Sequence, residues 1–327
     1  MQLTEDLTAR PLTPSDARAV FEVMAAQEQH DLGMVEIEEA DIVGDWQRPS
    51  FDVSASTIGV FDGDRLVAYA EIGGNGRGDA AVHPEYRGRG IGTALAAWTQ
   101  ELARERGDPV FGMSVPRGSP ADVLLESLGY FVRWNSWLLE LPEGKQIEAQ
   151  PLPEGHAIRA AEGEADHCAA WTVIEDAFLE WSERDRRSFE DFCATTLRRP
   201  GFEPWNLRIV VDPVGDAVGA CFVVTNEGFA YVDQLAVRKD RRGLGLARAL
   251  LADAFAVARE HGATRCELST DSRTGALGLY ERVGMVVTGN WVHRAVHLRP
   301  APARAGVAEV AQGHAPADER SDLRVHE

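Results

Sequence analysis

The sequence predicts an α/β protein made of two tandem copies of one strand-and-helix unit, on three observations. First, a strand end, a basic glycine loop and a helix are written twice. From Val82 to Thr93 the chain reads Val-His-Pro-Glu-Tyr-Arg-Gly-Arg-Gly-Ile-Gly-Thr, and from Val237 to Arg248 it reads Val-Arg-Lys-Asp-Arg-Arg-Gly-Leu-Gly-Leu-Ala-Arg. Second, the copies keep their spacing: Arg87 and Arg242 stand 155 positions apart, as do Gly129 and Gly284, and Ala9-Arg10 is echoed at Ile158-Arg159. Third, 327 residues suit two domains of ordinary size, whereas solenoid repeats are far shorter.

The elements follow in order. An N-terminal strand leads to a helix capped by Thr13 or Ser15 with Pro14 at an early position. Thr57 to Phe61 and Arg65 to Ile72 form a hairpin around Asp62-Gly63-Asp64. Ala80 to Val82 is a strand entering the first loop, whose helix carries Ile91, Leu95, Trp98 and Leu102 at helical spacing. A strand from Val110 to Val115, a helix from Ala121 to Leu128 and a strand from Tyr130 to Leu139 complete a unit over 1–141. The proline-rich stretch 142–155 is a short linker.

The second unit, 156–300, repeats the order. Helical runs at Glu164 to Phe178 and Arg187 to Arg198 precede strands at Leu207 to Val211, Ala217 to Val224 and Ala230 to Val237. The loop helix carries Leu246, Leu250, Ala254 and Val257 on its apolar face. A strand from Arg265 to Ser269, a helix from Gly275 to Val283 and a strand from Trp291 to Leu298 follow. Residues 301–327 have no periodicity and read as a disordered tail.

Composition narrows the function. A net charge of −19 repels nucleic acid and anionic membranes and favours a cationic acceptor such as an amine. No apolar run reaches membrane length, and the start lacks a signal-peptide pattern, so a cytoplasmic protein is expected. Cys168, Cys193, Cys221 and Cys266 have neither C-x-x-C nor histidine at metal spacing, so no metal is expected. The sequence carries no signal for an oligomeric state.

The loops carry the chemistry. Gly88, Gly90 and Gly92, matched by Gly243, Gly245 and Ala247, let backbone amides at a helix N-terminus face an anion closely. Arg87 and Arg242 add positive charge suited to a pyrophosphate. A dinucleotide fingerprint wants a small residue where Thr93 and Arg248 stand, and no Gly-Lys-Ser/Thr of a P-loop occurs.

Arg-x-x-Gly-x-Gly/Ala after a strand ending in Val resembles the acyl-CoA loop of the GNAT superfamily of N-acetyltransferases, and it occurs twice in register. The resemblance implies two tandem GNAT folds, each a mixed, mostly antiparallel sheet flanked by helices, with acetyl-CoA as cosubstrate. It places the coenzyme against Val82, Arg87, Gly88, Arg89, Gly90, Gly92 and Thr93, and against Val237, Arg242, Gly243, Leu244, Gly245, Ala247 and Arg248. The amides of Leu235 or Ala236 would polarise the acetyl carbonyl. Arg273, where many members carry Asn, is expected at a CoA phosphate.

The family's tyrosine acid falls at Tyr280, in Leu279-Tyr280-Glu281-Arg282-Val283-Gly284-Met285. The first unit has Leu125 there, which cannot donate a proton, so the second unit alone is expected to be catalytic. Four residues before Val237, Asp233 stands where polyamine-type members keep a glutamate, and is the expected base, with Glu175, Glu180 and Glu267 as alternatives. Tyr231, on the same strand face, and the aromatics Trp181 and Trp205 with Glu180 are expected at an ammonium acceptor.

The tandem order from about 7 to 298, with a Phe-x-Pro-Trp stretch at Phe202 to Trp205, is similar to the mycothiol synthase family, which acetylates a cysteinyl pseudodisaccharide, although that family's strand glutamate falls at Tyr231. A small-amine N-acetyltransferase is the main expectation. The first unit, with a loop but no acid, keeps open a non-enzymatic acyl-CoA sensor or scaffold.

Overall fold

The computed structural model describes residues 3–148, 150–226 and 228–298; the tail expected at 301–327 lies outside them. The first half runs β1 (Leu7–Arg10), α1 (Ala17–Asp31), α2 (Glu39–Trp46), α3 (Val53–Ser56), β2 (Thr57–Asp62), β3 (Arg65–Ile72), β4 (Gly78–Val82), α4 (Ile91–Glu105), β5 (Val110–Pro116), α5 (Pro120–Ser127) and β6 (Phe131–Leu141). The second runs β7 (Ala157–Ala160), α6 (Gly163–Phe178), α7 (Phe189–Thr195), β8 (Leu207–Val211), β9 (Ala217–Asn226), β10 (Phe229–Val237), α8 (Leu246–Glu260), β11 (Arg265–Asp271), α9 (Leu277–Arg282) and β12 (Val286–His297).

Local chemistry explains most boundaries. Thr13 caps a short 3-10 turn at Pro14–Asp16, with Asp16 reaching back to the Thr13 amide at 2.8 Å, and α1 continues from it. Helices α2 and α3 are short and are not foreseen from the sequence. A reciprocal cap between Glu38 and Asp41 starts α2, and contact with α7 holds it.

The strands form two sheets, β1-β2-β3-β4 and β5-β12-β6-β11-β10-β9-β8-β7. All named pairs are antiparallel except β10 with β11. The last strands are exchanged between halves: β12 pairs with β5 of the first half, β6 with β11 of the second, and the two pair with each other through Trp291 and Ser136. The halves are therefore not two closed sheets in series. Exchange leaves both long last strands flanked on both sides, with no open edge. A buried ion pair reinforces the seam, with Arg294 of β12 on Asp122 of α5 at 2.6 Å.

Helices α4 and α8 bury Ile91 and Leu95, and Leu246, Leu250 and Ala254, against the sheets. These are the faces their periodicity marks, and the burial fixes where each loop begins.

Candidate active site

Strand β10 pairs with β11 only from Phe229 to Val232, and against β9 its register slips at Asp233. That bulge turns β10 away from β11, so its β11-facing edge is free from 233 to 237 and a wedge opens between the strands. A cleft of about 660 Å³ fills the wedge and runs to the second loop, lined by Asp233, Leu235, Ala236, Val237, Gly243, Gly245, Ala247, Arg248 and Tyr280.

At the loop, Gly243 and Gly245 both have φ of 79°, a conformation that disfavours a side chain. Gly245 starts α8, whose first intrahelical bond runs from the Ala249 amide to the Gly245 carbonyl, 3.0 Å. The amides before it have no intrahelical acceptor, and free donors at a helix N-terminus suit an anion. A Cβ on Gly243 would meet nothing within 4 Å, so the constraint there is backbone conformation and room for a ligand. Leu244 is exposed at the tip, and Arg248 reaches the carbonyl of Glu148 at 3.2 Å.

Arg242 does not stand free for a phosphate. Glu180, just past α6, holds its guanidinium through two bonds of 3.0 and 2.7 Å. The first half mirrors this, with Arg87 held by Asp31 of α1 at 2.7 and 2.8 Å. Each arginine thus braces its loop against the preceding helix, and Glu180 lines the cleft at the second loop. Arg89 pairs with Asp6 at 3.3 Å.

The first loop keeps the backbone form, with φ of 78° at Gly88 and 80° at Gly90. Its cleft, about 320 Å³, is apolar, lined by Val82, Gly92, Thr93, Met113, Leu124 and Leu125. There the residue before β4 meets β5 at an isolated parallel bridge, Arg77 with Gly112.

Tyr280 lies on α9 with its ring in the core and its surface on the cleft. Burial pushes its pKa up to about 12, which keeps the proton an acid needs. Asp233 opens to the cleft but is hemmed in by protein, and that desolvation raises its pKa against the pull of Arg187. Gln234 donates to it at 3.0 Å.

Asp233, Ser136 and Ser269 also line a second cavity of about 720 Å³ between the halves. Its walls carry Glu28, Glu36, Glu38, Asp41 and Asp45 from the first half, and Tyr231, Glu267, Arg187 and Arg199 from the second. Burial, then Glu28 and Glu267, raises the Glu36 pKa to about 7. The Tyr231 hydroxyl lies 2.6 Å from Ser269 Oγ. Arg199 ties the halves together by pairing with Glu38 at 2.7 Å and Asp41 at 2.9 Å.

Other expected residues fall elsewhere. Glu175 is 1% exposed and held by Arg184 and Arg187, which leaves it no access to an acceptor. Trp205 lines neither cavity; it stacks on His261 and donates to Glu203 at 2.7 Å. Trp181 lines the cleft of the second loop, beside Arg273, which pairs with Asp271 at 3.1 Å. The carboxylates of the first half were missed because that half has no acid, so nothing in its own sequence tied it to the acceptor.

The Acetyltransferase (GNAT) family model matches residues 20–117 and 169–285, more than half of the chain in two blocks. The chain belongs to the GNAT acetyltransferase family. As a member, it is an acetyl-CoA-dependent acetyltransferase. It is 33% identical over 215 residues to a mycothiol acetyltransferase of Salinispora arenicola (strain CNS-205), covering 63% of this chain and 68% of that one. With a mycothiol acetyltransferase of Thermobispora bispora it shares 28% over 285 residues, 83% of this chain and 93% of the relative. A solved GCN5-related N-acetyltransferase from Sphaerobacter thermophilus superposes with a TM-score of 0.71 at 28% identity, over 92% of this chain and 98% of that one. No helix among the described residues is long and apolar enough to cross a membrane.

Proposed function

We propose that the second half transfers an acetyl group from acetyl-CoA directly to the primary amine of a small molecule, in the cytoplasm where that coenzyme is available. The observation that carries this reading is the junction at Asp233: a carboxylate-lined chamber opens there onto the wedge. An ammonium entering the acidic chamber is attracted by its walls. Asp233, its pKa raised by desolvation, takes the proton directly or through a water, and the amine attacks the thioester carbonyl. The free edge of β10 at Leu235 and Ala236 faces the developing oxyanion, and Tyr280 gives its proton to the departing thiolate and is restored by the proton that the amine nitrogen sheds as the amide forms. The loop from Gly243 to Arg248 holds the pyrophosphate, braced by Arg242 on Glu180, and the first half, with Leu125 in place of the acid, contributes chamber walls. Release of free thiol from acetyl-CoA, screened against amine classes, tests the proposal; no amine-dependent release would refute it.

A second reading has its own support: the relatives above carry the name mycothiol acetyltransferase. A cysteinyl pseudodisaccharide in the same screen tests it, and preference for simple amines would exclude it.

A further inference from the structure

Three guanidinium groups converge on one indole at the seam between the halves. Trp134 of β6 is buried and stacks face to face on His293 of β12, with ring centroids 3.7 Å apart. Arg273 lies 3.7 Å from the centre of that indole, and Arg77 and Arg133 each lie 5.1 Å from it. Arg273 is also 4.8 Å from Trp181, so it stands between two indoles beside the coenzyme cleft. Arg273 has one carboxylate partner, Asp271. Among the described residues, Arg77 and Arg133 have none.

A cluster of cations sharing one carboxylate is out of place in a chain of net charge −19. Burial and the two neighbouring arginines lower the Arg77 pKa to about 10. Burial and all three arginines drive that of His293 to about 3, so its ring is neutral. Its Nδ1 meets Ser114 Oγ at 3.2 Å, while its Nε2 is buried without a partner. The place is next to both substrate spaces: Ser114 lines the chamber, and Ser136, two residues along β6 from Trp134, lines the chamber and the wedge.

We propose that Arg77, Arg133 and Arg273 form a binding site for an oxyanion, a carboxylate or a phosphate, on a molecule lying across the junction of chamber and wedge. Guanidinium forks match such groups in pairs of hydrogen bonds, and the indole fixes their orientation. A bound anion removes the repulsion that the cluster otherwise carries. The oxyanion comes from one of two sources, an acidic group on the acceptor or a phosphate of the coenzyme. This deepens the acetyltransferase reading and rests on it for the ligand's identity, not for the binding.

Calorimetric titration of the full chain with inorganic phosphate, at constant ionic strength in chloride, tests it with and without saturating CoA. Arg77→Met should bind phosphate at least tenfold more weakly than the parent, and Arg77→Lys should recover part of the loss. Arg133→Met, at an exposed position, repeats the test if Arg77→Met fails to fold. If CoA leaves the phosphate binding that Arg77→Met lacks, the anion belongs to the acceptor. If CoA abolishes that binding and Arg77→Met weakens CoA tenfold, it belongs to the coenzyme. Equal affinities for phosphate and CoA in the parent, Arg77→Met and Arg133→Met would overturn the site. An Arg77-dependent phosphate site without amine-dependent thiol release would sink the proposed function and leave this site standing.

Discussion

Replacing Tyr280 by Phe removes one hydroxyl and keeps the shape of the ring. The ring is 8% exposed in the core of the second half, and its hydroxyl makes no hydrogen bond to the described residues. Folding stability should therefore change by no more than about 1 kcal/mol, as for substitutions that create neither a cavity nor an unsatisfied group. The hydroxyl, its pKa pushed up to about 12, stays protonated throughout the working range. A pKa raised on folding means tighter proton binding in the folded state. The associated stability is present below the unfolded value of about 10 and is lost as pH rises towards the folded one, so it has no consequence near neutrality. Catalysis is another matter: a positioned acid contributes roughly 10²- to 10⁴-fold, about 2.7 to 5.5 kcal/mol of barrier. In the thiol-release assay, kcat should fall by at least about 10²-fold, while acetyl-CoA affinity measured by titration stays unchanged. An unaltered kcat in a folded Tyr280→Phe protein would refute the assignment and leave Tyr280 a packing residue.

Other changes separate the remaining roles. Gly245→Val should abolish turnover by forcing a side chain onto a positive-φ turn in the coenzyme cleft, while Gly90→Val should leave most of it; circular dichroism confirms that both fold. Asp233→Asn should lower the rate at neutral pH by roughly 10²-fold or more. Because the protein around Asp233 desolvates it and raises its pKa, the parent's rate should climb as pH passes through that raised value, and in the variant the climb should move towards the free amine's own pKa; an identical pH profile would exclude Asp233 as base. Arg294→Met leaves Asp122 buried without its cation and should cost about 3 to 5 kcal/mol in chemical denaturation. A fragment of residues 156–298 lacks β6, so β11 and β12 lose their shared neighbour; it should show no cooperative unfolding transition, and a stable, active fragment would contradict the exchanged-strand account.

The sequence by itself determined the parts governed by local chemistry. A glycine needed at positive φ, an apolar stripe on a helix and a turn between strands are all written within a few residues, so both loops, α4 and α8 were legible, as was the contrast of Tyr280 with Leu125. Counting back from Val237 singled out Asp233, but the register slip that turns it to both cavities breaks strand alternation and is not written in the local pattern. Tertiary structure decided what depends on residues far apart in the chain. Only there do β6 and β12 change places, because strand pairing is selected by edges and buried faces that no single segment records. Only there does Glu180 meet Arg242, 62 positions away, instead of the acceptor. The chamber wall built by Glu28 and Glu36, and the arginines around Trp134, exist because two halves that look independent in sequence share one seam.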